Sequence, residues 1–539
     1  MVLALAAVAF AFRFNSLSGT LGGFDNDHFA TLMRVDLLLE GEQPLRDFAD
    51  FELRGAWPSL SYVLPAWAQR IGGRSLLPEA YLTVGALALS HALLFAVALA
   101  FSRRWSVALV AAGFAIATTP KLYNYPKVLV LTLGALAIRA VAQRPSWPRL
   151  AMAAVVTAMA VLFRHDYGVY VAFGILGALV ARDTGHWRQT FKHVGTYSGL
   201  TTIFLLPSII WVQVYEGIPS YIRKVAATAT LEAQRTELRL PSVVAPVSQT
   251  DTLVLFTYYG FWLIALTAVA VLVCRRTAAR SGGLTRTERA TAVGLLAMVA
   301  LVNLFFLRAN LTQRFADAVV PAALLLAWSI GSAPAIGSTV ARRLVVVVSG
   351  LLLLTLAGAS VVWSGTPRRL EDAGLLDSWQ MTAVRFEEVR TRLRGLPPAD
   401  WSQVEMGGSL PAARYIALCT TPRDDLFVAG YAPEIYVLAR RRFAAGQGTV
   451  SLGFYTSDED QRRALERLAG QSVPIVLAEA NEFEEGFVSD YPLLARHLFD
   501  HYRDAGTIEL DGEARLRVFV DSSRPLTGID PLLGLPCFN

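Results

Sequence analysis

Apolar runs long enough to cross a bilayer recur along most of this chain, and they limit its possible folds more than any other feature. A helix spans the hydrocarbon core with about 17 to 25 apolar residues. Runs that reach or approach that length lie near 1–13, 77–101, 105–120, 127–142, 149–163, 166–181, 195–215, 252–274, 290–307, 316–333 and 342–363. They predict a multi-spanning α-helical membrane protein with about eleven spans, several of them short and closely spaced. Hydrophobic residues make up 54% of the 539 positions and charged residues only 17%, which excludes an ordinary soluble enzyme. The net charge of +6 comes with no basic patch interleaved with aromatics, so the cations point to cytoplasmic loops and not to nucleic acid.

The basic residues of the short loops set the orientation. With the loop after the first run facing outward, Arg103 and Arg104, Arg144 and Arg149, Arg182, Arg188 and Lys192, Arg275 to Arg289, and Arg342 and Arg343 all fall inside. This scheme places the protein in the cytoplasmic membrane with its tail outside. It requires that PSLSYVLPAWAQRI (58–71) does not span, and Pro65 and Arg70 suit it to an interfacial helix. Residues 27–39 read as a second interfacial helix, with Phe29, Leu32, Met33, Val35 and Leu39 on one face and Arg34, Asp36 and Glu40 turned elsewhere. The opening VLALAAVAFAF reads as the outer end of a first span and not as a cleaved signal peptide.

Between the first run and the second lies an acidic loop, 22–58, holding Asp25, Asp27 and Asp47. The same face collects Lys121, Tyr123, Tyr125 and Lys127 from TPKLYNYPK, then Arg164, His165 and Asp166 from FRHDYG, and Arg308 and Arg314 from RANLTQRF. A single cation at a helix end is more often an interface anchor than a ligand. Carboxylates and cations drawn from several loops onto one face suit chemistry better. A carboxylate can deprotonate an acceptor hydroxyl while Arg and Lys hold a phosphate leaving group. Glycosyl transfer from a lipid-phosphate sugar needs both.

FDNDHFATLMRVDLLLEGEQPLRDF resembles the first extracytoplasmic loop of GT-C-type glycosyltransferases, the broad group of protein mannosyltransferases and lipid A aminoarabinose transferases. The resemblance covers 1 to about 363 and implies two membrane-parallel helices in that loop, many spans and an extracytoplasmic C-terminal α/β domain. It implies a polyprenyl-phosphate sugar as donor and an envelope glycan or lipid as acceptor, with membrane lipid around the protein. By position Asp25 is the favoured base. Asn26 stands where the usual pair has Glu, and Asp27 follows it, so Asp27 is either a second site carboxylate or the N-cap of a helix starting at His28. Lys127 and Arg164, with Lys121, are the first candidates for the donor phosphate, and Arg308 and Arg314 follow on resemblance. Asp47, His165, Asp166, Tyr123 and Tyr125 are candidate substrate contacts, with local pairing as the alternative for Asp47 and Asp166. A divalent cation, Mg or Mn, stays open, since some relatives use one and others do not. The competing functional class is a transporter or lipid-handling protein, which would carry its charges near the bilayer midplane and show related halves.

Residues 366–539 change character after the membrane-like part, 1–365. Amphipathic helices such as SWQMTAVRFEEVRTRLRG and SDEDQRRALERLAG alternate with strand-like DLFVAG, VPIVLAE and RLRVFVD, predicting a soluble α/β domain. Cys419 and Cys537 lie there, either bonded to each other or as two unrelated thiols; Cys274 ends an apolar run.

Overall fold

The computed structural model describes the chain apart from residues 51–56, 58, 236–248, 278–283, 306–314, 404–406 and 511–514. Its first helices are α1 (Val2–Asn15), α2 (Asn26–Leu39) and α3 (Leu60–Gly72). The helical bundle continues with α4 (Leu76–Ser102), α5 (Trp105–Ala117), α6 (Tyr125–Gln143), α7 (Trp147–Phe163), α8 (His165–Arg182) and α9 (Trp187–Tyr215). Helix α10 (Ile218–Arg235) is amphipathic, and α11 (Gln249–Thr277), α12 (Arg286–Phe305), α13 (Phe315–Ser332) and α14 (Thr339–Trp363) complete the bundle. Each of the expected apolar runs falls on its own helix. Among the described residues 7 helical segments are long and apolar enough to cross a membrane, fewer than the expected eleven. Helices α1, α5 and α7 are apolar but shorter.

Close helix packing relies on small residues, as expected where apolar surroundings remove the hydrophobic drive between helices. A Cβ on Gly294 of α12 would sit 2.7 Å from the Gly174 carbonyl of α8, so the two backbones meet through their glycines. At the bundle end away from α2, arginines close off helix C-termini. Arg149 Nη1 donates to the Ala140 carbonyl at 3.1 Å, Arg289 Nε donates to Ala181 at 3.0 Å, and Arg182 donates to Ala142. Cations satisfy orphan carbonyls and complement the helix dipole there.

The C-terminal part holds α15 (Thr366–Asp372), α16 (Trp379–Arg394), α17 (Leu410–Cys419), α18 (Pro433–Ala439), α19 (Asp458–Leu468) and α20 (Pro492–His501). Strands β1 (Phe427–Ala429), β2 (Ile475–Glu479), β3 (Tyr502–Glu509) and β4 (Arg515–Asp521) form one sheet in the order β1-β2-β4-β3, with β1 and β2 parallel and the other pairs antiparallel. Strands β5 (Gly528–Ile529) and β6 (Pro536–Cys537) make a small separate pair. Cys419 and Cys537 are disulfide-bonded. Side chains alternate across the sheet: Val428, Leu477 and Val518 face α17, α18 and the first loop, while Phe427, Val476 and Phe519 face the aromatic layer of Phe483, Phe487 and Tyr491. The first face belongs to one continuous core with Phe29, Leu32 and Val35 of α2.

That core also encloses Arg34, which the helical spacing puts off the apolar face of α2. Helix α2 lies between α3 and α18, and Arg34 is fully buried. Its Nη1 donates to the Ala30 carbonyl at 2.6 Å, its Nε stands 3.5 Å from Asp50, and its guanidinium lies 6.0 Å from the Phe443 ring centre. Asp50 also accepts from the Tyr62 hydroxyl of α3 at 2.6 Å. Burial pushes the Asp50 carboxyl up to about 7, against the opposing pull of Arg34 and the Tyr62 hydrogen bond. Folding therefore favours the protonated form, so this stabilisation is complete below the ordinary value of 3.8 and is lost as pH rises through about 7. The apparent Tm of the purified protein should fall across that interval, and Asp50→Asn should flatten the fall. An unchanged pH profile in that variant would show that Asp50 does not titrate there.

Candidate functional site

The site is built on the first turn of α2. Asp25 has extended backbone, φ −118° and ψ 174°, and its Oδ1 accepts from the His28 N–H at 3.1 Å. It is the N-cap, a position that favours Asp because the carboxylate satisfies an orphan N–H and the helix dipole. The helix therefore begins at Asn26, and the reading of Asp27 as the cap of a helix starting at His28 is corrected. Asp27 sits inside the first turn with its side chain 50% exposed.

Lys121, which precedes a short 3-10 turn at Leu122–Asn124, joins the two carboxylates. Its Nζ is 2.9 Å from Asp25 Oδ2 and 4.0 Å from Asp27 Oδ2. The Tyr123 hydroxyl donates to Asp27 Oδ2 at 2.8 Å. From the other end of the chain, the Tyr431 hydroxyl donates to Asp27 Oδ1 at 2.9 Å. Burial first, and then the charge of Asp27, hold the Tyr431 phenol far above its ordinary range, so it remains a donor. The Tyr431 N–H donates to Glu479 Oε1 at 2.5 Å. Next to it Gly430 has φ +156°, and a Cβ there would come within 2.7 Å of the Glu479 side chain. This close approach needs glycine.

Beneath the carboxylates His28 packs on Phe24 with ring centres 4.5 Å apart, and its Nε2 meets Glu79 Oε1 of α4 at 2.8 Å, both side chains being buried. This pair pins the first turn of α2 to the start of a long apolar helix.

A second group surrounds Tyr167. Arg164, at the break between α7 and α8, forms a fork with Asp166 at 3.1 and 2.8 Å. The Arg164 guanidinium and the Lys127 ammonium lie 5.5 and 5.9 Å from the Tyr167 ring centre. His165 Nε2 meets the Tyr221 hydroxyl of α10 at 3.1 Å. Tyr125 is buried edge-on to Phe163, and its hydroxyl has no hydrogen-bond partner among the described residues. Asp47 folds into its own turn, accepting from the Gln43 N–H at 2.7 Å and pairing with Arg46. Arg308 and Arg314 lie outside the described residues.

The structure thus brings Asp25, Asp27, Lys121 and Tyr123 into one exposed cluster and Lys127, Arg164 and Asp166 around one ring. Sequence reasoning missed Tyr431, His28, Glu79 and Glu479. Glu79 carried a usable signal, an acid in the first turn of an apolar run. Tyr431 is 404 residues from its partner, so no local pattern joins the two. Among the described residues no three His, Cys, Asp or Glu side chains converge as a metal-binding group. Chemically, the cluster offers two carboxylates partly open to solvent and a cation between them.

No family model matches the chain, and no curated protein does. Among solved structures it is similar to ArnT from Cupriavidus metallidurans bound to undecaprenyl phosphate, at 15% identity over 97% of this chain and 98% of that one, with a TM-score of 0.49. The apo state of the same protein matches at 15% identity over 96% and 97%, with a TM-score of 0.46. At these values the likeness assigns no role to any residue of this chain.

The Tyr431 hydroxyl ties the C-terminal part to the first turn of α2. Tyr431→Phe should lower stability by about 1.5 kcal/mol, the low end for a hydrogen bond to a charged group because Asp27 is half exposed. It should also speed amide exchange at residues 26–28. Unaltered exchange there would mean that the bond does not hold the turn.

Proposed function

We propose that the protein is a GT-C-type glycosyltransferase that moves a sugar from a polyprenyl-phosphate donor to an envelope glycan or lipid on the outer face of the cytoplasmic membrane. The single observation that carries this reading is Lys121 lying between Asp25 and Asp27. Such a site pairs a proton acceptor with cations for a departing phosphate. The resemblance of 24–48 to the first loop of these enzymes points the same way.

In this reading the donor phosphate draws the Lys121 ammonium away from Asp25, with Lys127 and Arg164 supplying further positive charge. Asp25 then has Oδ2 free while its Oδ1 stays on the His28 N–H, a fixed geometry for a base. Asp27 keeps both oxygens on the phenols of Tyr123 and Tyr431 and serves as an anchor. The acceptor hydroxyl passes its proton to Asp25 as its oxygen attacks the anomeric carbon; the bond from that carbon to the phosphate oxygen breaks, and the lipid phosphate departs. One displacement inverts the anomeric centre. The C-terminal part, 366–539, would act as an extracytoplasmic domain that completes the site through Tyr431.

Purified protein given a radiolabelled polyprenyl-phosphate sugar and envelope acceptor should release lipid phosphate. Asp25→Asn should slow release by about 10²- to 10⁴-fold, the usual contribution of a general base. Asp27→Asn should have a smaller effect, and Lys121→Met should mainly raise the donor KM. Normal turnover by Asp25→Asn removes it as the base. Ion-gradient-driven uptake into vesicles without sugar transfer would favour the transporter class.

A further inference from the structure

Beside α2, away from its first turn, lies a cavity of about 90 Å3 whose lining the proposed reaction does not use. Its lining takes Asp36 and the C-cap Glu40 from α2, Gln69 from α3, Arg74 and Ser75 from the link to α4, and Arg440, Arg441 and Arg442 from the segment after α18. Four arginines thus meet two carboxylates in a small space.

The arginines have different duties. Arg441 spends every guanidinium donor on the Thr420 hydroxyl and on the carbonyls of Ala417, Ala439, Arg440 and Thr420, so it shapes the wall. Arg442 is answered by Asp425 at 2.8 Å and by Glu42 at 3.5 Å. Arg74 has one distant partner, Glu40 at 3.7 Å, and Arg440 one backbone contact, the Pro397 carbonyl at 3.3 Å. Both are exposed, and each keeps most of its donors unused among the described residues. Asp36 faces both of them, and burial pushes its carboxyl up to about 7 against the pull of Arg74 and Arg440.

We propose that this cavity is a second, non-catalytic site for a phosphate monoester group, held in a fork between Arg74 and Arg440. Arginine forks match the tetrahedral oxygens of phosphate in bidentate fashion. The surroundings admit a lipid source. Helix α3, which lines the cavity through Gln69, exposes Trp67 and Ile71, at 63% and 86%, on its other face, and the apolar helix α4 begins at the cavity edge with Leu76. An amphipathic helix of this kind lies at headgroup depth. The site stands independently of the proposed transferase reaction.

The test titrates inorganic phosphate into the full-length protein in phosphatidylcholine nanodiscs, reading the apparent Tm, and repeats it with phosphatidic acid in the disc. Wild type should show a saturable rise. Arg74→Ala with Arg440→Ala should weaken the response by about tenfold or more, as expected for loss of charge-assisted bonds. Lys121→Met should leave it in place. If phosphatidic acid blocks the phosphate response, the site takes a headgroup; if it does not, the site takes soluble phosphate. Should the double variant fail to fold, Asp36→Asn, titrated at pH 8.5 where the Asp36 carboxyl is ionised, removes the facing negative charge and should tighten phosphate binding severalfold. The proposal is overturned if wild type shows no response, if the arginine variant responds as wild type does, if Lys121→Met abolishes the response, or if Asp36→Asn leaves it unchanged or weaker.

Discussion

A fully buried guanidinium, that of Arg34, governs how the rest of the molecule is put together. A buried cation is tolerable only when its charge and its donors are answered, and removing one partner of such a pair typically costs about 3–5 kcal/mol. The Ala30 carbonyl of the helix accepts from it, the Phe443 ring of the C-terminal part faces it, and Asp50 of the loop lies 3.5 Å from its Nε, whether neutral or ionised. Satisfying this one group brings α2, α3 and the segment after α18 together. With α2 seated in that way, its first turn meets Tyr123 on one side and Tyr431 on the other. The position of the carboxylates therefore depends on contacts more than two turns further along the same helix.

Much of the architecture was legible because apolar runs of span length have few other uses. Arg149, Arg182 and Arg289, from the loops between them, cap helix ends at one end of the bundle. Span number was less legible: short runs such as α5 and α7 are packed against neighbours, and burial in protein removes the need for full bilayer length. In the C-terminal part, β2 announced itself as a run of buried apolar residues. Strand β3 did not, because YRDAGTIE is mostly exposed and pairs only at the sheet edge.

The site was half legible for a physical reason. Local rules offered Asp27 as the cap, and the structure gives that place to Asp25, since the choice rests on one residue's backbone angles. Lys121 and Tyr123 were within reach as a polar loop between apolar runs. The burial of Arg34 was not legible because its covering, α18, is remote in sequence, and the contact of Tyr431 stayed hidden for the same cause. Long-range packing, which no periodicity records, converts an acidic loop into an organised pair of carboxylates.

Determining the structure of the protein with polyprenyl phosphate bound tests the central claim most directly. The account predicts the phosphate within hydrogen-bond distance of Lys121 Nζ, that lysine drawn off Asp25, and Asp27 still held by Tyr123 and Tyr431. A phosphate bound elsewhere, with Lys121 unmoved between the two carboxylates, would contradict it.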